Sequence, residues 1–369
     1  MLQAYTNATI FTGSEWIENH AVIVSGDTIE TIVLAEQLPA DMERIDCNQQ
    51  LLVPTFLDLQ IYGAAGKLFS AYPGNEALQL LAEHNATCGT GTCLVTIATQ
   101  PMPTILACIE AIKTYWQQGG KGIMGMHLEG PFINATKRGA HIEEWVQSPT
   151  MEEVKTLLQK ADGVIKIVTL APECVDEAVI REFAENGVIV SIGHSNASFA
   201  EATRAMNNGA STVTHLYNAM SPLHHREPGL VGAAMQHGTA AASIIPDGIH
   251  VDYEAVKIAK QIMGERLFFI TDAVTDTSVG PYQHVLNTDH YDLPNGTLSG
   301  SALTMLKAVQ NAVQHCNISL EEALRMASLY PARVMGLHNS FGKIETGFAA
   351  QFALVSKDLS TAGLHGSIF

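Results

Sequence analysis

The sequence predicts an α/β fold, a (β/α)8 TIM-type barrel with a small β-sandwich domain built from both chain termini. Three observations predict it. Eight short runs rich in Val, Ile and Thr recur between residues 52 and 272, amphipathic stretches of helix length separate most of them, and turn-broken alternating segments flank the series at both ends. No G-x-G-x-x-G placed between a strand-like run and a following helical stretch supports the open, doubly wound alternative.

Residues 4 to 50 alternate apolar and polar positions in short pieces (ATIFTG, HAVIVSGDTIETIV) broken by Gly, Asn and Asp, the pattern of small antiparallel strands. The eight runs then lie near 52–60, 92–98, 123–129, 165–170, 188–194, 211–215, 242–246 and 267–272, with helical periodicity at 74–87, 102–118, 150–160, 174–186 and 197–208. Residues 340 to 356 (SFGKIETGFAAQFALVS) return to a turn-rich strand pattern. Each terminal piece is too short to hold a core alone, so 1–50 and 340–369 are expected to pair into one β domain beside a barrel of 51–339.

Composition narrows the class. With 369 residues, 47% of them apolar, the chain can bury a large core, and a net charge of −17 disfavours nucleic acid and anionic membrane as partners. No apolar stretch approaches the roughly 20 residues that span a bilayer. The six cysteines form no C-x-x-C pair, and the segment MLQAYTNATIF lacks the basic and apolar regions of a signal peptide; both point to a reducing cytoplasm.

Four of the runs end on a residue that carries chemistry: IMGMHLE on Glu129, VIVSIGH on His194, TVTH on His215 and LFFITD on Asp272. Catalytic groups of such barrels project from the C-terminal strand ends, so these four should meet at one mouth. Two neutral imidazoles and a carboxylate make a three-ligand site with an open position, suited to zinc at about 2.0–2.2 Å and also to iron or manganese. Asp272 beside it is placed for proton transfer. Taken singly, each has an ordinary reading: a strand-end histidine is more often a hydrogen-bonded core or loop residue, Glu129 a loop carboxylate, Asp272 a helix N-cap. Their joint occurrence on the third, fifth, sixth and eighth runs favours the site. The following loops add Lys137, Arg138 and His141; then Asn218, His224, His225 and Arg226; then Asp247 and His250. Arg226 with His250 would suit a phosphate, against the alternative of a solvated loop face. In GTLSGSALTM, small residues precede a helix, so backbone amides there can approach a ligand closely.

HLEGPFINATKRGAH, SIGHSNASFAEA, VTHLYNAMSPLHHREPG, PDGIHV, TDAV and GTLSGSALTM, in this order, resemble the N-acetylglucosamine-6-phosphate deacetylase family of the amidohydrolase superfamily across nearly the whole barrel. The resemblance implies hydrolysis of the N-acetyl group of an amino-sugar phosphate, with one divalent metal per subunit, zinc first, on Glu129, His194 and His215. It implies Asp272 as acid/base, His141 beside the reacting carbonyl, and substrate contacts from Ala140, His141, Asn218, Ala219, Arg226, Asp247, His250, Leu298, Ser299 and Gly300. A homodimer is expected, with one subunit lending phosphate-binding side chains to the other.

One departure stands out. Amidohydrolases generally open the barrel with H-x-H, whereas FLDLQIYG sets Asp58 and Gln60 where those histidines are expected, which removes two ligands for a second metal and favours a mononuclear site. Two rivals remain. A cyclic-amide hydrolase normally keeps H-x-H and a bridging lysine on the fourth strand, but Lys166 in IKIVTLAPE lies near that strand's start. A non-catalytic sugar-phosphate sensor on the same barrel would have no need of the intact set of four.

Overall fold

A computed structural model describes residues 2–366. Eight strands run parallel in sequence order: β1 Phe56–Ile61, β2 Thr90–Ile97, β3 Ile123–Glu129, β4 Ile165–Leu170, β5 Ile189–Ile192, β6 Ala210–Val213, β7 Ala241–Ile244 and β8 Leu267–Phe269. Beyond the last strand, Ile61 bridges Ala273 in parallel, and Asp272 N–H donates to the Gln60 carbonyl at 2.9 Å. The sheet closes into the barrel the sequence predicts.

Helices α1 Asn75–Ala86, α2 Met102–Gln117, α3 Met151–Ala161, α4 Glu177–Glu185 and α5 Phe199–Asn207 fall where the periodicity puts them, followed by α6 Gly229–Gln236, α7 Tyr253–Met263 and α8 Met305–His315. Local chemistry fixes their starts. Thr150 with Glu153, and Ser198 with Glu201, form reciprocal capping boxes that satisfy the orphan amides of α3 and α5.

The expected strand at 52–60 is two strands. Leu51–Pro54 leaves the barrel and pairs antiparallel with Gln351–Val355, while Phe56 begins β1 after a break at Thr55. These residues belong to a five-stranded sheet that faces a four-stranded sheet made of Leu2–Thr6, His20–Ser25, Thr28–Leu34 and Glu43–Asp46, forming the sandwich from both termini. The period of two explains why one sheet serves two cores. Leu52, Phe352 and Leu354 point into the sandwich with Tyr5, Ile10 and Val24, whereas Val53, Ala353 and Val355 join the barrel core.

Inside the barrel, below its mouth, lies a bonded polar layer. His127 donates through Nδ1 to the Leu59 carbonyl at 3.0 Å and meets Thr169 Oγ1 at 2.7 Å, and that hydroxyl continues to Thr214 and Ser191. Burial pushes the His127 imidazole down to about 4, so it stays neutral. Across the layer, Asp58 accepts from the backbone amides of Gln60 and Thr271, both at 3.2 Å, and from the Thr271 hydroxyl. Burial pushes the Asp58 carboxyl up to about 7 despite these bonds.

The native state therefore holds the Asp58 proton more tightly than the unfolded chain does, and stability is lost as pH rises from the ordinary carboxylate range through about 7. In Asp58→Asn the oxygen keeps both amide bonds, and the Thr271 hydroxyl retains the Gln60 carbonyl 3.2 Å away. Thermal melts should show the mutant gaining on the wild type between pH 5 and pH 8. Parallel melting profiles over that range would show that Asp58 does not ionise there.

Candidate active site

Each strand-end residue is delivered by its own turn. Glu129 closes β3 and is followed by Gly130 at φ 82°, where a Cβ would stand 2.2 Å from Thr99 Oγ1, so only glycine fits. His194, His215 and Asp272 follow β5, β6 and β8 with φ of 46°, 35° and 53°, left-handed values that cost non-glycine residues on the order of 1 kcal/mol or more each. The surrounding hydrogen bonds hold these three conformations and turn the side chains inward over the barrel mouth.

There they converge on Glu129. His215 Nε2 lies 3.0 Å from Glu129 Oε1 and 3.0 Å from His194 Nε2, and His194 Nε2 lies 3.3 Å from the same carboxylate oxygen. His194 Nδ1 donates to the Lys137 carbonyl at 2.9 Å, which leaves its Nε2 lone pair facing the cluster. His141 is oriented the opposite way. Its Nδ1 accepts from the Thr99 backbone amide at 3.2 Å, so the proton sits on Nε2, 3.3 Å from Glu129 Oε2. Ligand atoms of Glu129, His141 and His194 all lie within 4.8 Å of one another, but the tautomers leave the His194 Nε2 lone pair open to a cation and make His141 Nε2 a hydrogen-bond donor. Two imidazole nitrogens and a carboxylate oxygen meeting at 3.0–3.3 Å lack enough protons to satisfy one another, and a divalent cation fits that donor set.

Electrostatics follow from burial. Burial alone would raise the Glu129 carboxyl, but the hydrogen bond from His141 and the nearby imidazoles hold it well below the usual carboxylate range. Burial likewise opposes protonation of His215, yet its contact with Glu129 raises it above the ordinary histidine value. Burial, and then the charge of Glu129, push Asp272 up, so its carboxylate takes a proton more readily than an exposed one. Burial pushes His141 down to about 4, which keeps it a neutral donor.

The first strand sets its polar residues at different depths. Asp58 does not reach this cluster; it lies one layer deeper, against Thr271. The strand's two mouth-side positions are Gln60 and Tyr62. Gln60 Nε2 donates to Glu129 Oε1 at 2.9 Å and to Asp272 Oδ1 at 2.6 Å, and the Tyr62 hydroxyl donates to Glu129 Oε2. In FLDLQIYG the polar positions 58, 60 and 62 share one face with period two, a signal that marks the face and not the depth. Thr99, which fixes the His141 tautomer, carries no sequence signal.

A cleft of about 160 Å³ opens over the cluster. It is lined by the three expected ligands, Asp272, Ala140, His141, Asn218, Ala219, His250 and the edge segment Leu298–Gly300. That segment belongs to a three-stranded insertion, Val285–Asn287, His290–Asp292 and Leu298–Ser301, which precedes α8. Asn218 Nδ2 is buried without a protein partner. Asp247 stands behind His250 and accepts from its Nδ1 at 2.5 Å, leaving Nε2 for the cleft. Arg226 is not brought in: it is exposed on the loop after β6 and absent from the cleft lining. Lys166 likewise stays at the start of β4, away from the mouth.

Comparison with known proteins agrees with this architecture. Residues 51–366 match the model described as the amidohydrolase family. The chain belongs to the amidohydrolase family. Residues 2–52 match a NagA composite domain. Within the family, the chain is 33% identical to the N-acetylglucosamine-6-phosphate deacetylase of Haemophilus influenzae, over 98% of this chain and 97% of that protein. It is 32% identical to an N-acetylgalactosamine-6-phosphate deacetylase of Escherichia coli O157:H7, over 96% and 94%. Among amidohydrolase structures, the N-acetylglucosamine-6-phosphate deacetylase of Pasteurella multocida superposes with a TM-score of 0.94 at 34% identity, over 99% of both chains.

If this cluster holds a cation, free metal at about a hundredfold excess over its Kd should stabilise the chelated protein by about 2.7 kcal/mol. Glu129→Gln should lose most of that gain, together with the metal found by elemental analysis. An unchanged metal content in the mutant would place the ion elsewhere.

Proposed function

We propose that this chain is the deacetylase that hydrolyses N-acetylglucosamine 6-phosphate to glucosamine 6-phosphate and acetate in amino-sugar metabolism. The observation that carries this reading is the convergence of Glu129, His194 and His215 with Asp272 and a proton-bearing His141 Nε2 in one cleft, in a chain whose relatives at 33% identity bear that activity in their names.

Glu129, His194 and His215 would hold the metal, with zinc favoured by the two imidazoles and one carboxylate and iron or manganese as alternatives. Such an ion, when bound, polarises the amide carbonyl and acidifies the attacking water. Asp272, raised by burial and by Glu129, takes the proton from that water as the oxygen attacks the acetyl carbonyl carbon. His141 Nε2–H donates to the carbonyl oxygen as charge develops on it. Asp272 then returns the proton to the sugar nitrogen as the C–N bond breaks, releasing acetate and the free amine. Gln60, which bonds both Glu129 and Asp272, fixes the distance between the two carboxylates.

Substrate contacts in this reading come from the Ala140–His141 and Asn218–Ala219 turns and from Leu298, Ser299 and Gly300, with His250 on the phosphate and Asp247 orienting it; Arg226, exposed outside the cleft, would reach the phosphate from a second copy of the chain. The assembly in this reading is a homodimer. Leu223 and Ile249 are exposed on the loops that carry Arg226 and Asp247, and a second copy would cover these apolar side chains. A cytoplasmic setting suits the six unpaired cysteines.

The decisive assay is acetate release from N-acetylglucosamine 6-phosphate. Asp272→Asn should keep its metal and lose about 10²- to 10⁴-fold in kcat; a fully active mutant would falsify the acid/base assignment. For the phosphate end, His250→Ala and Arg226→Ala should raise KM with smaller changes in kcat. An Arg226→Ala enzyme with wild-type KM would remove that residue from the binding site.

A further inference from the structure

A second recess, about 30 Å³, adjoins the cleft and shares Tyr62, His141 and Ser299 with it. Its remaining walls are mainly apolar. Leu68, Val274 and Tyr282 are buried with Tyr62 in a hydrophobic cluster of their own, and Ala98 packs against them. Apart from the Ser70 hydroxyl, the polar side chains that line it make hydrogen bonds. The Tyr62 hydroxyl donates to Glu129, the Tyr282 hydroxyl donates to the Thr99 carbonyl at 2.7 Å, and His284 Nδ1 meets Ser299 Oγ at 2.9 Å. Burial pushes His284 down to about 4, so no charge faces the recess from that side.

The amide carbon of the substrate carries three groups. Its nitrogen leads to the sugar in the cleft, and its oxygen points to the cation cluster and His141 Nε2. The third group, the acyl chain, must then turn away from both. Of the walls around His141, those behind Tyr62 offer an apolar space, large enough for one methyl-sized group and little more. Resting on the deacetylase reading above, we propose that this recess seats the acyl group of the amide, and that Leu68, Ala98 and Val274 restrict the enzyme to acetyl.

The test is a series of N-formyl, N-acetyl, N-propionyl and N-butyryl glucosamine 6-phosphates, with kcat/KM measured for each. The wild type should favour acetyl over propionyl by about tenfold or more, the discrimination one methylene gives in an apolar pocket. Val274→Ala and Leu68→Ala enlarge the recess and should raise the propionyl-to-acetyl ratio by about tenfold. Ala98→Leu fills it and should lower the acetyl-to-formyl ratio by a similar factor. Each ratio is internal to one variant, so a loss of folded protein cancels. Acetate release with the same ratios in all variants, or a wild type indifferent to chain length, would overturn the acyl recess while leaving the deacetylase reading intact. No acyl release from any substrate would overturn both.

Discussion

A fully buried carboxylate, Glu129, organises this molecule. An ionised group inside a protein is tolerated only where bonds and opposite charge replace water. Here β1 supplies Gln60 and Tyr62, the loop after β3 supplies His141, and the ends of β5 and β6 supply His194 and His215. Five donors or ligands from four regions of the barrel thus meet on two oxygen atoms. The contact set that keeps Glu129 ionised also gathers the groups needed for hydrolysis, so the electrostatics of folding and of the site share the same atoms.

The backbone accommodates that gathering at the strand ends. Three of the residues at the mouth adopt left-handed conformations, and the barrel's closure between β1 and β8 passes through one of them, Asp272. Its amide is bonded to Gln60 and its carbonyl accepts from Ser301 at 3.0 Å. The acid/base candidate is therefore held through its main chain by the barrel seam itself, and its side chain is left little freedom to stray from the cation cluster.

Much of this was legible in the sequence because strand ends obey a simple rule: an apolar run, then a polar residue, places that residue at the mouth. Glu129, His194, His215 and Asp272 satisfy the rule and lie together. The rule is weaker where a strand's interior face is polar throughout. In β1, Asp58, Gln60 and Tyr62 alternate alike, and sequence alone does not fix which pair lies high enough to matter; depth along the barrel decides, and it selects Gln60 and Tyr62. Long loops are harder still. His250 is fixed by Asp247 three residues away, a local bond with a local signal, whereas the Arg226 side chain has no hydrogen bond among the described residues and is exposed. The run at 52–60 reads as one strand in the sequence for a related reason, since its apolar content continues while the partner sheet changes at Thr55.

The pairing of Val53 with Ala353 has a consequence for how the chain is made. Leu51–Pro54 can pair early with Thr9–Phe11, but its other edge has no partner until Gln351–Val355 has been made, and β1 waits almost as long for the segment after β8. Contacts separated by hundreds of residues form slowly and leave strand edges open meanwhile. Nascent molecules of this protein should consequently lean on chaperones until Gln351–Val355 arrives, and loss of that strand should be felt first at Leu51–Pro54, early in the chain.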